Sequence, residues 1–148
     1  MFGGILLIRK ATQKDVCQLA KLMGELGYPT TMHEMESRFL KINSSPLYNT
    51  QVAEENGVLL GMIGMLLGFH YEKNENYIRI VALVVDSKHR KQGIGDKLMK
   101  KAEEWAKEQG INKIALNSGN RSERNDAHHF YMKQGFEGSA TGFYKTLS

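Results

Sequence analysis

The chain has 148 residues, of which 41% are hydrophobic and 24% charged, a composition that is typical of a globular domain and excludes a disordered chain. The formal net charge of +4 and the pI near 9.1 suit an anionic partner: nucleic acid, an anionic surface or a polyanionic small ligand. The single cysteine, Cys17, excludes an internal disulfide, and its position beside apolar residues of an apparent helix predicts a buried thiol.

The N-terminal region predicts a strand followed by two helices. The apolar opening is too short to span a bilayer and lacks the basic region and cleavage site of a signal peptide, so we expect a cytoplasmic protein that does not associate with membranes. Ile5–Ala11 alternates as a strand does, and Thr12-Gln13-Lys14-Asp15 then resembles a capping box that starts a helix. That helix ends near Gly27, and Pro29-Thr30-Thr31 precedes a second, shorter one.

The middle of the chain predicts three strands. Thr50–Glu54 and Val58–Phe69 flank Glu55-Asn56-Gly57, and Asn-Gly is a strong hairpin signal. Tyr77–Val85 is rich in β-branched residues and apolar on both faces towards its end, which is typical of a central strand.

The C-terminal half predicts two helices and two strands. An amphipathic helix that begins near Ile94 stops at Gly110 and precedes a short strand, Lys113–Asn117. A helix over Asn125–Gln134 follows, and Phe136 to Leu147 is expected to complete the sheet. The order β-α-α-β-β-β-α-β-α-β predicts an α/β fold in one domain, residues 1–148, with a mixed, mostly antiparallel sheet and helices on both faces.

A basic, glycine-containing turn lies between the central strand and the next helix. Such a turn presents free backbone N–H groups at the positive end of the helix, and glycines let phosphate oxygens approach the backbone closely. With Lys88, Arg90 and Lys91 nearby, this context predicts a pyrophosphate site. A Walker A loop is excluded because Asp96 rather than Lys follows the second glycine, and a dinucleotide fingerprint is excluded because Leu98 occupies its third small position.

The turn carries the pattern R-x-x-G-x-G, which resembles the acetyl-CoA signature of the GNAT superfamily of N-acetyltransferases. Its residues are Arg90-Lys91-Gln92-Gly93-Ile94-Gly95. A second stretch, Asn125-x-Ala127-x-x-Phe130-Tyr131-x-x-x-Gly135-Phe136, is similar to the landmark that lies one helix and one strand downstream in that family. The resemblance extends from about Leu59 to Leu147 and implies the GNAT fold and transfer of an acetyl group from acetyl-CoA to an amine.

The resemblance also assigns residues to the acetyl-CoA site. The pantetheine arm is expected along the backbone of the central strand, the pyrophosphate on the amides of the turn, and one asparagine on the arm. These residues are Leu83, Val84, Val85, Arg90, Lys91, Gln92, Gly93, Ile94, Gly95, Asp96 and Asn125. Tyr131 is similar to the family's catalytic tyrosine, which protonates the departing CoA thiolate while a neutral amine attacks directly in a ternary complex.

Simpler roles remain open for the downstream residues. Tyr131 also fits a core aromatic position on its helix, and Asn125 also fits a helix cap. His128 and His129 point about 100° apart on a helix and have no suitably spaced partner, so we expect no metal.

The acceptor is expected to be the primary amine of a small molecule. Tyr28 and Glu36 in the region of the first two helices would suit a cationic amine, and Glu36, His70 and Glu72 are candidates for the general base. Glu34 and Phe39 belong to the same expected acceptor side. For each candidate a solvated surface role is the alternative, a water chain would also carry the proton, and peptide acceptors remain open.

Two other functional classes compete with the enzyme, and one assembly is expected. A CoA-binding regulatory module without turnover is the first alternative, although it would need neither Tyr131 nor Asn125. A nucleic-acid-binding protein is the second, but no aromatic platform is interleaved with the basic residues, so we expect none. A homodimer through the final strands, Gly138 to Leu147, is also predicted, with Phe143 and Tyr144 at an edge.

Overall fold

The computed structural model describes residues 4–117, 125–138 and 142–147. The chain divides into two compact units, residues 1–115 and residues 116–148. The first holds nearly all of the sheet and three helices, and the second holds one further helix. None of the helices within these described ranges is long and apolar enough to cross a bilayer.

The sheet has five strands in the order of the chain: β1 (Leu7–Lys10), β2 (Tyr48–Glu55), β3 (Val58–Gly68), β4 (Tyr77–Val85) and β5 (Ile114–Leu116). The first three neighbouring pairs are antiparallel. β5 follows a helical crossover, and the Lys113 carbonyl accepts a hydrogen bond of 2.9 Å from the Ile78 N–H. The N-terminal ends of β4 and β5 therefore lie side by side, as in a parallel pair, and the sheet is mixed as predicted.

Helices cover both faces of the sheet, which confirms the predicted α/β class. These helices belong to the first unit and are α1 (Val16–Leu26), α2 (Met32–Asn43) and α3 (Ile94–Glu108). The second unit, described by itself, holds α4 (Asn125–Lys133). Leu19 of α1 and Phe39 of α2 pack in one core cluster with Val84 of β4. α3 lies on the opposite face, where a Cβ at Gly61 would be 3.2 Å from a methyl carbon of Leu98.

A β-bulge in β4 separates its two halves. Gly64 of β3 pairs with Ala82, whereas the next residue, Met65, pairs with Ile80. Val81 is thus the extra residue, and its side chain is 48% exposed. Because the side chains of a strand alternate between faces, the extra residue changes which side chains of β4 face each helical layer.

An ionic cluster at the start of the fold joins β1, β2 and the turn before α1. The Arg9 guanidinium donates hydrogen bonds of 2.8 Å to both carboxylate oxygens of Asp15 and one of 2.9 Å to Glu54. The Thr12 N–H donates another bond of 2.8 Å to Asp15, which closes the predicted capping box. The hydrogen bonds from Arg9 are the main reason that the pKa of Asp15 lies below its ordinary value, despite the burial of its carboxylate.

We expect Asp15→Asn to lower the free energy of unfolding by about 1.5–3 kcal/mol near neutral pH, because it weakens charge-assisted bonds to Arg9. Since the folded-state pKa is depressed, the carboxylate stabilises the fold above its unfolded pKa of 3.8, and this stabilisation is lost as the pH falls through the lower folded value. The difference between wild type and variant should therefore shrink below about pH 4 in urea denaturation.

The matched control is Glu34→Gln, which changes the carboxylate of a second capping box, at α2. Glu34 is exposed and accepts hydrogen bonds of 3.1 Å from the Thr31 N–H and the Thr30 hydroxyl. It has no bidentate arginine, so a clearly smaller loss of stability is expected. Equal losses in the two variants would show that Arg9 adds nothing beyond capping.

Two structural expectations are wrong. The final segment does not complete the sheet, because residues 136–138 and 142–147 form no strand and Phe143 is 90% exposed. Gly138 and Gly142 weaken the tendency of this segment to form a strand, since they offer no side chain to pack. Cys17 is exposed rather than buried: it lies about 100° around α1 from Val16, which faces the core.

Candidate active site

The turn after β4 is fixed at its start by hydrogen bonds to the sheet and within itself. The Asp86 N–H donates a bond of 2.7 Å to the Leu60 carbonyl as β4 ends, and the Asp86 carboxylate lies 2.7 Å from Nδ1 of His89. That contact is the main reason that the pKa of Asp86 is lowered. The Arg90 Nε donates to the Val85 carbonyl at 3.2 Å, which places its guanidinium group beside the end of the strand.

The second half of the turn leaves the start of α3 without a side-chain cap. Lys91 and Gly93 have positive φ values, of 65° and 80° respectively. Gly93 is the N-cap residue of α3 and has no side chain with which to accept from the first amides of the helix. These N–H groups therefore stand at the positive end of a 15-residue helix, and Gly95 lies within its first turn.

The charge around this turn favours an anion. Lys88, Arg90, Lys91 and Gln92 are exposed, whereas Ile94 is only 3% exposed and anchors the helix start in the core. Backbone amides on a fixed helix start, with exposed cations around them, match the requirements of a pyrophosphate. Asp96 is an exposed acidic residue in the same turn and complements the helix dipole.

The described part of β5 does not run along the whole of the strand that leads to the turn. β5 ends at Leu116, three residues after Lys113, whereas Leu83 lies five residues after Ile78, where the bond to Lys113 joins the two strands. The described part of β5 is therefore too short to pair with Leu83–Val85. Among the described residues, none therefore pairs with this stretch on the side away from β3, the side on which the family resemblance places an extended ligand arm.

The side chains of Leu83–Val85 define the surroundings of such an arm. Val84 is buried among the core residues of the α1 and α2 layer, while Leu83 and Val85 are half-buried. The main chain of β4 runs without a break from the bulge at Val81 to the basic turn. The strand end and the basic turn thus follow each other in the order that the resemblance predicts for a pantetheine arm and a pyrophosphate.

The predicted catalytic tyrosine lies in the second unit. Tyr131 is half-buried on α4, with its ring centroid 5.8 Å from that of Phe130 and 6.0 Å from that of Phe136, both at edge-to-face angles. Its carbonyl accepts hydrogen bonds from Gln134 and Phe136, which close the end of the helix. Asn125 is the first residue of α4.

The candidates for acceptor contacts occupy two parts of the first unit. Tyr28 is 68% exposed just after α1, and Glu36 is exposed on α2. His70 and Glu72 follow β3, at the end of the sheet where β4 begins, and so lie at the other end of β4 from the basic turn.

Two further residues that were expected on the acceptor side have structural roles. Phe39 is 1% exposed and belongs to the core beneath α2, because it lies one turn after the buried Met35. Glu34 caps α2 through Thr31. Sequence reasoning also missed the Asp86–His89 contact, although their spacing of three residues in a tight turn is a usable signal.

Comparisons with known proteins identify the family of the chain. A sequence model of the family described as "Acetyltransferase (GNAT) family" matches residues 14–136. The chain is 32% identical to an aminoalkylphosphonate N-acetyltransferase of Salmonella typhimurium, over 95% of this chain and 90% of that protein.

Solved structures show the same fold. A GNAT family acetyltransferase of Staphylococcus aureus has a TM-score of 0.82 at 34% identity, covering 96% of this chain and 98% of that one. An aminoglycoside N-acetyltransferase in complex with CoA has a TM-score of 0.84 at 14% identity, covering 100% and 98%, which speaks for the fold alone. The chain therefore belongs to the GNAT family of acetyltransferases.

Proposed function

We propose that this acetyl-CoA-dependent N-acetyltransferase acts on the primary amine of a small molecule, by direct attack in a ternary complex. The observation that carries the proposal is that the C-terminal half of β4 leads through the basic turn to the start of α3, whose N-cap residue, Gly93, has no capping side chain. Extended pairing along Leu83–Val85 would hold the pantetheine arm, while the amides from Lys91 to Asp96 would bind the pyrophosphate. Asn125 would add a hydrogen bond to the arm.

The chemistry needs little beyond orientation and two proton transfers. The nitrogen of a neutral amine forms a bond to the thioester carbonyl carbon, and the carbon–sulfur bond then breaks. Tyr131 would donate its phenolic proton to the departing thiolate, whose thiol has an ordinary pKa of about 8.5 and so needs only weak acid assistance. The proton of the amine would leave through a carboxylate such as Glu36 or through water. No acetyl-enzyme is formed on this route.

Two observations support a small acceptor. Tyr28 offers an exposed aromatic surface and Glu36 an exposed carboxylate, a pair that suits a cationic amine. The Salmonella relative is named for aminoalkylphosphonates, which are small molecules that carry both an amine and an anionic group. An amine of this kind is therefore the first acceptor to test.

We expect turnover with small amines in a panel of an aminoalkylphosphonate, a polyamine, an aminoglycoside, an amino acid and a peptide with a free N-terminus. CoA release followed by thiol detection measures kcat/KM for each. Glu36→Gln should lower kcat/KM for the preferred amine about 5-fold, the effect of one exposed charge contact of about 1 kcal/mol. Glu103→Gln, an exposed change on α3, is the matched control and should have no effect. Turnover confined to the peptide and insensitive to Glu36→Gln would contradict a small acceptor.

A further inference from the structure

The hydrogen bonds at the end of β4 show in which direction its backbone groups point. The Asp86 N–H donates a bond of 2.7 Å to the Leu60 carbonyl of β3, and the preceding residue, Val85, lies opposite Gly61. In an antiparallel pair the backbone groups of successive residues point alternately towards the neighbouring strand and away from it. The N–H and C=O groups of Val85 therefore point away from β3, and so do those of Leu83. This is the side on which the family resemblance places the pantetheine arm.

The side chain of Arg90 reaches back from the basic turn to the last of these carbonyls. Its Nε atom donates a hydrogen bond of 3.2 Å to the Val85 carbonyl, which is within the normal range for a nitrogen donor and an oxygen acceptor. The planar guanidinium group therefore lies beside this oxygen. Two carbonyls on the same side of the strand end thus differ, because that of Val85 has a donor from Arg90 and that of Leu83 receives none from it.

The local structure of the turn directs Arg90 towards the strand. The His89 N–H donates a hydrogen bond of 2.9 Å to the Asp86 carbonyl, and Nδ1 of His89 lies 2.7 Å from the Asp86 carboxylate. The backbone of Arg90 is then extended, with a φ of −69° and a ψ of 158°, and Lys91 follows with a φ of 65°. The change from extended to left-handed backbone turns the main chain away towards α3. The bond from Arg90 to Val85 consequently belongs to a turn that its own hydrogen bonds define.

Two carbonyls on one side of a strand offer an extended arm two registers. Leu83 and Val85 are two residues apart, so an amide N–H of the arm that bonds to the second carbonyl lies about 7 Å farther along the strand than one that bonds to the first. The arm forms the same kind of backbone hydrogen bond in both registers, and so binds with similar strength. The reaction is far less tolerant, since a displacement of about 1 Å costs on the order of 100-fold in rate. Excluding one register therefore favours productive binding.

We propose that Arg90 is a positioning residue, which sets the register of the pantetheine arm through its hydrogen bond to the Val85 carbonyl. Because Arg90 occupies this acceptor, an amide N–H of the arm bonds to the Leu83 carbonyl, and the thioester lies at one distance from the pyrophosphate. Arg90 acts here through a backbone carbonyl, in addition to the attraction of its charge for the pyrophosphate. This role rests on the proposed function, in which the arm pairs along Leu83–Val85.

Arg90→Gln and Arg90→Met together separate the hydrogen bond from the charge. Both variants lose the charge, but the side-chain nitrogen of glutamine is bonded to Cδ, as Nε of arginine is, and donates, whereas methionine has no donor. Relative to Arg90→Gln, Arg90→Met should lower kcat about 5-fold without weakening acetyl-CoA binding, because the freed carbonyl stabilises the second register by one hydrogen bond. Steady-state kinetics with the preferred amine measures kcat, and calorimetry measures the dissociation constant of acetyl-CoA. Arg90 is exposed, so both variants should keep the circular dichroism of wild type.

Two results would overturn the role of Arg90 in setting the register. Equal kcat values in Arg90→Gln and Arg90→Met would show that Arg90 acts only through its charge. Weaker acetyl-CoA binding in Arg90→Met than in Arg90→Gln, whatever the kcat, would show that the hydrogen bond only keeps the turn in shape. A wild type that binds acetyl-CoA and acetylates no amine would contradict the proposed function instead, and the calorimetric comparison of the two variants would still test the register.

Discussion

Replacing Gly95 with valine is expected to weaken acetyl-CoA binding by about 100-fold or more and to leave the fold intact. Gly95 lies in the first turn of α3, where the helix amides face the expected position of the pyrophosphate. A branched side chain there would stand where the phosphate oxygens must lie. Losing two charge-assisted hydrogen bonds, at about 1.5–3 kcal/mol each, accounts for a loss of this size. Isothermal titration calorimetry with acetyl-CoA measures it.

Gly95 is a sharper choice than Gly93 for this experiment. Gly93 has a φ of 80°, so any side chain at that position strains the backbone even without a ligand. Gly95 lies within the helix and is not among the residues with positive φ. The control is Gly24→Val in α1, another glycine inside a helix, where a Cβ would have no atom of the described residues within 4 Å apart from its chain neighbours and the backbone of its own helix. Unchanged affinity in Gly95→Val would place the pyrophosphate elsewhere.

Tyr131→Phe is expected to lower kcat by about 10- to 1000-fold with little change in acetyl-CoA affinity. The change removes only the phenolic oxygen and keeps the ring that packs edge-to-face on Phe130 and Phe136. The thiolate would then depart without a proton donor, so the loss belongs to the chemical step. Steady-state kinetics across pH, together with calorimetry, separates this effect from weaker binding.

Tyr144→Phe is the matched control for that variant. Tyr144 is 84% exposed in the same unit, and its hydroxyl accepts a hydrogen bond of 3.4 Å from Asn117. Losing this phenol should leave kcat unchanged. If Tyr131→Phe kept the wild-type kcat and pH profile, Tyr131 would be a packing residue of α4 only.

Local sequence signals predicted most of the fold correctly. The strand Tyr77–Val85 has the predicted bounds because its apolar run is bordered by clear turn residues. The hairpin at Asn56-Gly57 forms with positive φ at both residues, as a two-residue hairpin loop requires. Thr12 and Thr31 start their helices through capping boxes. Each of these features depends on residues within one or two turns of the chain.

Features that depend on distant residues escaped prediction. Arg9 and Glu54 are 45 positions apart, and their pairing depends on the register of β1 against β2. The bulge at Val81 depends on the register with β3, and no glycine within β4 marks it. The exposure of Cys17 depends on its angle around α1, which the apolar residues next to it in the sequence do not indicate.

The parts of the candidate site differ in how well the sequence predicts them. The turn from Arg90 to Gly95 can be predicted from the sequence alone, because basic residues, glycines and the start of a helix follow one another directly. The role of Leu83–Val85 as a pairing edge for the cofactor arm follows only from the family resemblance, since no local pattern shows which strand lies beside them.

The most direct measurement is mass spectrometry of the reaction of acetyl-CoA with the preferred amine of the panel. The product should be the amine carrying one acetyl group, formed in the same amount as free CoA, with the protein itself unmodified. Wild type should form it, and Gly95→Val should not at the same acetyl-CoA concentration. Bound acetyl-CoA without any acetylated amine, or an acetyl group recovered on the protein, would contradict direct transfer by this chain.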